Sequence, residues 1–280
     1  MVRALAQPGG RRRAGGGRVR EQSGKTRYSA PALEKGLEIL ELLSSQDSGL
    51  TQAEIARALG RTVGEIFRML VVLTERGFLV QDPASDRYCL TTLLFEMAHR
   101  TPTIRRLTTL AGPLMQRLAA EVDQSVHLAV RSGDAVVVVG QVDGPGNNVM
   151  SVRLGARIGL WRASSARVIL AHLPGNRLDD VFRTVPLPDG ATEAALRDDL
   201  RRIRRKGFEV RDSFVVRGIV NISAPVIDHT GHAVAAMTIP HLERLDDPVD
   251  FDRCRAQLVA TAQSLSRSLG GSNVPLPEGA

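Results

Sequence analysis

The twenty residues TQAEIARALGRTVGEIFRML, from position 51 to 70, carry side chains suited to contact nucleic acid. Their spacing predicts two short helices, the second with one apolar and one polar face. On the polar face, Arg68 could bond guanine, Thr62 could contact either base edge, and Glu65 could accept a hydrogen bond from cytosine. Gly64 would let the backbone approach a duplex closely. The candidate DNA-contacting residues are Thr51, Gln52, Arg61, Thr62, Val63, Gly64, Glu65, Arg68 and, in a following hairpin, Arg87.

Polar residues within apolar segments mark a second candidate site. In the strand-like stretch RGIVNISAP, alternation places Asn221 and Ser223 on one face, and Thr238 could lie on the neighbouring strand. The segment RIGLWRASSARV brings Ser164 and Ser165 to the start of a helix, where free backbone N–H groups attract a carboxylate or phosphate. The alternative is that the serines only cap the helix and that the strand residues only satisfy backbone groups at a bulge.

Catalytic and metal chemistry find no support in the sequence. The six histidines form no ligand cluster. His229 and His232 flank a turn, which is more typical of a surface hairpin than of a metal site. His127 alternates with apolar neighbours and is predicted to be a core histidine, although it could face a pocket. Nucleophile-elbow, Walker, dinucleotide-binding and CxxC patterns are absent from the sequence. We therefore predict no catalytic residue, no metal site and no cofactor.

The positive charge of the chain is confined to one end. The formal net charge is +7, and residues 1–30 alone contribute eight Lys/Arg against one Glu. Residues 31–90 carry six Lys/Arg and nine Asp/Glu, a net charge of −3. The Gly/Arg-rich leader is predicted to be disordered, and it would either attract phosphates or only aid solubility. The acidic balance of residues 31–90 leaves open a role in contacting protein partners.

Compartment is indicated by the cysteines and by the absence of long apolar runs. Cys89 and Cys254 lie far apart, which indicates a reducing environment without a disulfide framework. The sequence has no apolar run that could cross a bilayer and no secretory signal after its basic start. We expect a cytoplasmic protein with no membrane partner.

Residues 31–90 are predicted to form a winged helix-turn-helix, which would present the first group of polar residues. Three helices follow one another, and FLVQDPASDRYCL then has the strand–turn–strand pattern of a hairpin. Thr51 and Glu54 have the spacing of a capping box. The predicted buried stripes are Leu33, Leu37, Leu40 and Leu43 in the first helix, Ala53, Ala56 and Leu59 in the second, and Val63, Ile66, Leu70 and Leu73 in the third.

The rest of the chain is predicted to be α+β. A linker helix over 91–103 leads into an antiparallel sheet flanked by helices over 104–270, and 271–280 forms a disordered tail. Strand pairs are indicated by SVHLAVRSGDAVVVVGQVDG and by GIVNISAPVIDHTGHAVAAMTI, and a further strand by NVMSVRLGARIGL. Helices are predicted at SSARVILAHL, with a serine cap, and over 191–206 and 250–269.

From about residue 31 to 270, the chain resembles the IclR family of bacterial transcriptional regulators. The matching segments, in order, include GLTQAEIARALG, ERGFLVQDPASDRYCLT, VRLGARIGLWRASSARVILAHLP and RGIVNISAPVIDHTGHAVAAMTI. The resemblance implies an N-terminal winged helix, a linker helix and a C-terminal effector-binding domain of GAF-like form. It also implies dimers or tetramers on palindromic operators. The recognition helix here opens with Val63, Gly64 and Glu65, where the family usually has a Lys-Ser-Thr type run.

The resemblance also implies a set of effector-binding residues. Arg211 or Asp212 would supply a charged group, and Asn221 stands where relatives often have cysteine. The ligand it implies is a small organic acid. The matching positions are Met150, Ile158, Ser164, Ser165, Ile219, Asn221 and Thr238, to which the strand alternation adds Ser223.

These observations favour a ligand-responsive transcriptional regulator that binds double-stranded DNA and a small anionic metabolite. Two alternatives stay open. The chain could be a sensor that acts through protein partners, or an enzyme that turns over a small acid. The enzyme hypothesis requires a nucleophile–base pair, which no spacing in the sequence indicates. Repression and activation both stay open as the sign of regulation.

Overall fold

The computed structural model describes residues 29–147, 149–244 and 249–271. The chain separates into two compact units, with the boundary between Leu94 and Phe95. The predicted tails, 1–30 and 271–280, lie almost wholly outside the described residues. Among the helices that the described residues form, none combines the length and apolar character that a membrane span needs.

The first unit has three helices and a three-stranded sheet. Its elements are α1 (Pro31–Leu43), β1 (Leu50–Thr51), α2 (Gln52–Ala58), α3 (Val63–Glu75), β2 (Leu79–Gln81) and β3 (Arg87–Leu90). The antiparallel sheet has the order β1-β3-β2, and β2 and β3 form the predicted hairpin. Ile39, Ile55, Ile66 and Leu70 are fully buried and bring the three helices together. The predicted winged helix-turn-helix is therefore confirmed.

Parts of the predicted apolar stripes of this unit are wrong. Leu33 and Leu37 are 63% and 50% exposed, because α1 buries only its later turns, through Ile39 and Leu43. Val63 is 50% exposed, since it is the first residue of α3 and lies beyond the core that Ile66 and Leu70 complete. Ala53 is also exposed, and α2 instead buries Ile55 and Ala56.

The second unit is a six-stranded antiparallel sheet between two layers of helices. Helix α4 (Leu93–Arg100) crosses the boundary between the units. The elements that follow it are α5 (Pro102–Val122), β4 (Val126–Ser132), β5 (Ala135–Val142), β6 (Arg157–Gly159), α6 (Ser164–Ala171), α7 (Gly175–Thr184), α8 (Glu193–Lys206), β7 (Glu209–Asp212), β8 (Ile219–Ile227), β9 (Ala233–Leu242) and α9 (Phe251–Ser268). The strand order is β6-β5-β4-β9-β8-β7. One core lies between the sheet and α5 and α9, and the other between the sheet and α6, α7 and α8. The predicted α+β class is confirmed.

Three local features differ from the sequence prediction. The strand expected in NVMSVRLGARIGL is reduced to the three residues of β6 at the sheet edge. The edge strand β7 was not predicted, because its last three residues are exposed and it lacks an apolar alternation. Helix α7 is absent from the sequence prediction, although Leu178, Val181 and Phe182 form a short apolar stripe that packs on the core beside α6 and α8.

Helix α6 is anchored by a buried ion pair. All eight of its residues are buried. Arg167 Nε donates to Glu209 Oε1 at 2.7 Å, and its Nη2 donates to Asp199 Oδ2 on α8 at 3.0 Å. Burial raises the pKa of Glu209, while the Arg167 guanidinium opposes that shift. The ion pair thus fixes the register between α6, α8 and the start of β7.

We expect Arg167→Met to destabilise the second unit by about 3–5 kcal/mol, because it leaves the Glu209 carboxylate buried without its partner. Urea unfolding followed by the fluorescence of Trp161, the single tryptophan of the chain, measures this. The matched control is Arg157→Met, which breaks an exposed pair with Asp134 and should cost less than about 1 kcal/mol. Equal costs for the two variants would contradict the anchoring role.

Candidate functional site

Two capping boxes fix the N-termini of the two helices of the helix-turn-helix, α2 and α3. Thr51 Oγ1 accepts a hydrogen bond from Glu54 N at 3.4 Å, and the Glu54 carboxylate accepts one from Thr51 N at 2.8 Å. Thr62 and Glu65 repeat this arrangement at the start of α3. Between the helices, Gly60 has a φ of +61°, which residues with a side chain rarely adopt. The side chains of Thr51, Thr62 and Glu65 therefore cap the starts of α2 and α3.

Ion pairs with α1 occupy Glu65 again and one further predicted contact residue, Arg61. Glu65 bonds Lys35 Nζ at 2.7 Å, and Arg61 bonds Glu38 at 3.1 Å. The Lys35 ammonium, together with the Thr62 backbone and hydroxyl groups, lowers the pKa of Glu65 to about 2. Glu65 is therefore ionised and paired, so its carboxylate is already occupied within the protein.

The wing arginine and Gln52 also have partners inside the unit. Arg87 donates to the Glu54 carboxylate at 3.1 Å and to the Gly49 carbonyl at 2.9 Å, which ties β3 to α2. Gln52 Nε2 donates to the Val63 carbonyl at 3.0 Å, which ties α2 to α3. Three of the nine acidic residues in 31–90, namely Glu38, Glu54 and Glu65, are thus paired with cations that hold the elements of this unit together.

The outer face of α3 is left with one arginine and an apolar stripe. Within the described residues, Arg68 is exposed and has no carboxylate partner. Val63, Phe67 and Val71 follow at intervals of four residues and are 50%, 52% and 38% exposed. Gly64, also exposed, lies beside them. Phe67 was missed as an outward residue, although its four-residue spacing from Val63 could have indicated it.

A cavity of about 260 Å³ in the second unit lies where the N-terminus of α6 meets β4, β8 and β9. Its lining includes seven of the residues that the family resemblance indicated, namely Met150, Ile158, Ser164, Ser165, Ile219, Asn221 and Thr238. It also includes His127, Arg153, Phe214 and Pro240. We refer to it as the effector cavity.

A row of buried hydroxyl groups supports the floor of the effector cavity. His127, Thr238 and Ser223 lie directly opposite one another on β4, β9 and β8. Ser223 Oγ is 2.8 Å from Thr238 Oγ1 and 2.8 Å from Ser164 Oγ on α6. These bonds satisfy three buried hydroxyls at once and hold the start of α6 against the sheet.

The predicted serine cap of α6 is wrong. The N-cap residue is Ala163, without a side-chain hydrogen bond, and the Ser164 hydroxyl bonds the sheet instead. Ser223 is fully buried and lies behind the lining rather than within it. Because no side chain caps the helix, the amides of Ser164 and Ser165 are available at the cavity wall for an anion.

The structure places neither Arg211 nor Asp212, the predicted charged residues, at the effector cavity. Arg211 and Asp212 are exposed on the edge strand β7 and lie outside the lining. Their backbones pair with those of Asn221 and Val220 on β8. Arg211 is therefore the strand neighbour of the lining residue Asn221, although its own side chain does not line the cavity. Arg153, in the segment between β5 and β6, is exposed and lies at the rim instead. No carboxylate of the described residues pairs with it.

His127 has one ring nitrogen without a partner. The residue is 4% exposed, lines the effector cavity, and its Nδ1 makes no hydrogen bond with the described residues. Burial lowers the pKa of His127 to about 4, so the ring is neutral near pH 7. A neutral imidazole can donate or accept one hydrogen bond at this nitrogen. His127 is therefore a polar group of the cavity wall rather than only a core residue.

Trp161 belongs to the core and not to the cavity wall. Its Nε1 donates to the Pro186 carbonyl at 2.9 Å, and its ring packs 5.1 Å from that of Phe182. Arg162, its neighbour, lies over the ring of Phe214, which lines the cavity. Within the part of the chain that the structure describes, no three His, Cys, Asp or Glu residues converge as metal ligands.

Comparison with known proteins places both units in one family. The family model for the IclR helix-turn-helix domain matches residues 32–83. The model for the bacterial transcriptional regulator IclR C-terminal domain matches residues 101–267. The two matches together span the recognition helix α3 and the effector cavity.

Individual relatives agree with these matches. The HTH-type transcriptional regulator BhcR of Paracoccus denitrificans is 30% identical over 247 residues, which cover 85% of each chain. The HTH-type transcriptional repressor AllR of Klebsiella pneumoniae is 27% identical over 91% of this chain and 95% of its own. An IclR homologue from Microbacterium hydrocarbonoxydans, solved with 4-hydroxybenzoate, superposes with a TM-score of 0.71 at 21% identity, covering 85% of this chain and 98% of that one. The chain therefore belongs to the IclR family of bacterial transcriptional regulators, and it is a regulator of transcription rather than an enzyme.

Proposed function

We propose that this regulator binds a palindromic operator as a dimer or tetramer, and that a small organic anion in the effector cavity changes its operator affinity. The observation that carries the proposal is the composition of that cavity. It combines an apolar wall with an uncapped helix N-terminus, an unpaired arginine and an unpartnered histidine nitrogen. Related proteins are named repressors, which supports repression as the sign of regulation.

Operator contact is assigned to the outer face of α3. A helix in this position of a helix-turn-helix enters the major groove, and a dimer places two such helices about 34 Å apart, one turn of DNA. Arg68 can bond guanine or a phosphate, and the stripe of Val63, Phe67 and Val71 can contact thymine methyl groups. The paired side chains of Arg61 and Glu65 act by holding the start of α3 against α1, and Arg87 acts by tying β3 to α2.

We expect Arg68→Ala and Phe67→Ala each to weaken operator binding by about tenfold or more, because each removes a side chain from the proposed DNA face. Fluorescence anisotropy with a duplex selected from a random library measures this at fixed salt. Arg76→Ala, at the far end of α3, is the matched control and should change affinity less than threefold. Unchanged binding by both test variants would place the DNA contact elsewhere. Failure to select any duplex would favour action through protein partners.

The effector class follows from the size and charge of the effector cavity. A volume of about 260 Å³ suits a compact molecule. The amides at the start of α6 and the guanidinium of Arg153 both favour a carboxylate. Asn221 and His127 can then bond hydroxyl groups on the ligand body. The complex of a structural relative with 4-hydroxybenzoate, a small acid with one hydroxyl, supports this class.

We expect Arg153→Gln to weaken binding of the best ligand by about tenfold, because it removes a charge-assisted hydrogen bond. The ligand is first identified by thermal shift against a panel of carboxylic and sugar acids, and affinities are then measured by calorimetry. Arg211→Gln, which alters an exposed arginine outside the lining, is the matched control and should leave affinity unchanged. The reverse pattern would restore Arg211 as the anion partner.

The buried His127 should make the stability of the second unit depend on pH. Its pKa is about 4 in the folded protein against an ordinary 6.5, so the unfolded chain binds more protons between these values. Stability contributed by the neutral ring is complete above pH 6.5 and is lost as the pH falls towards 4.

Relative to His127→Gln, the wild-type protein should therefore lose about 3 kcal/mol of unfolding free energy between pH 7 and pH 4. Urea unfolding at a series of pH values, followed by Trp161 fluorescence, measures the difference. Because every other titrating group is common to both proteins, the difference isolates His127. Parallel curves for the two proteins would show that the ring is solvated or paired in solution.

A further inference from the structure

A second cavity lies at the opposite end of the strands that form the effector cavity. Its volume is about 540 Å³, within the usual range for small-molecule sites. It is formed where β4 and β8 end and β9 begins, and it shares no lining residue with the effector cavity. Helix α6 runs from one to the other, with Ser164 at the first and Ile169 at the second. We call it the basic cavity.

The floor of the basic cavity is apolar. Leu107 of α5, Ile169 of α6, and Leu173 and Leu269 just beyond helix ends are all buried, and Val234 of β9 is half-buried. These side chains come from both helical layers and from the sheet between them. An apolar ligand body could therefore be enclosed on several sides.

The rim of the basic cavity is cationic. Arg106, Arg131 and Arg177 project from three different elements, α5, β4 and α7. None of them forms an ion pair with a carboxylate of the described residues, and Arg131 bonds a backbone carbonyl. Asp228 supplies the one carboxylate of the described lining, and it accepts hydrogen bonds from Thr230 N and Thr230 Oγ1 at 2.8 and 2.5 Å. The described lining therefore carries three arginines against one ionised carboxylate, a formal excess of two positive charges.

Two helix starts add to this positive field. Helix α5 begins at the cavity with Pro102, Thr103 and Ile104, and it has neither a side-chain cap nor an acidic residue in its first turn. Helix α7 likewise lacks both, and its third residue is Arg177. Helix dipoles favour negative groups at this end, so an arginine here is electrostatically unfavourable unless an anion lies nearby.

We propose that the basic cavity is a second ligand site, which binds an amphipathic organic acid with its carboxylate among the three arginines and its apolar body on the floor. The site goes beyond the proposed function, since it is separate from the effector cavity. A ligand there would contact the first turn of α5, which directly follows α4, and the last turn of α6. It would therefore act on the same buried helix as the first ligand, from the other end.

The test uses the full-length protein and decanoate, with decanol as the neutral probe of equal apolar length. Calorimetry should show decanoate binding that is weakened about tenfold or more in the double variant Arg106→Gln/Arg177→Gln. Decanol should bind at least tenfold more weakly than decanoate. Arg205→Gln, which alters an exposed arginine outside both cavities, should leave decanoate affinity unchanged.

Three results would overturn the proposal. One is equal decanoate affinity in the wild-type protein and the double variant. Another is a loss of decanoate affinity in Arg153→Gln and not in the double variant, which would assign decanoate to the effector cavity. The third is a double variant that keeps its decanoate affinity but changes its oligomeric state, as measured by sedimentation. That result would make this face an interface between copies of the chain. Thermal unfolding confirms that the variants fold, and because no DNA is present, the outcome is independent of operator binding.

Discussion

Helix α6 is held against the six-stranded sheet by two polar contacts, and both cavities of the second unit depend on its position. At its first residue, the Ser164 hydroxyl joins the chain that runs through Ser223 to Thr238. One turn later, Arg167 pairs with Glu209 at the start of β7. Polar groups that are this deeply buried are costly unless satisfied, so any displacement of α6 breaks bonds that water cannot replace. The helix therefore has one well-defined position, which is what a ligand-sensing site requires.

This arrangement also explains why the start of α6 can receive a ligand. A serine at the first turn of a helix usually caps the free amides of that turn. Here the Ser164 hydroxyl is used by the sheet, and the N-cap is Ala163. The amides are consequently left at the wall of the effector cavity, with Arg153 at its rim. The side chain of Ser164 thus anchors the helix, while its backbone amide is left for the proposed ligand.

In the winged helix, as at α6, charged side chains pair with one another inside the protein. Three acidic residues, Glu38, Glu54 and Glu65, accept bonds from cations of other elements. These pairs leave the net charge of residues 31–90 unchanged, but they mean that Glu65, at the start of α3, is presented together with a cation and not as an isolated negative charge. What α3 offers outward is Arg68 and an apolar stripe, and base contact of that kind depends on shape as much as on charge.

The sequence by itself determined most of the elements, with β7 and α7 as exceptions, and the family resemblance indicated much of the lining of the effector cavity. Capping boxes, helical periods and strand alternation are local, so Thr51, Thr62 and Asn221 could be placed on their elements before any coordinates. Family resemblance brought together Met150, Ser164 and Thr238.

Only the tertiary structure decided which side chains are free. Arg61 and Arg87 have the same chemistry as Arg68, but their carboxylate partners lie 23 and 33 residues away in sequence. Arg211 and Arg153 could be told apart only by the direction in which each side chain leaves its own segment. Pairing and direction result from long-range packing, and a local pattern carries no information about either.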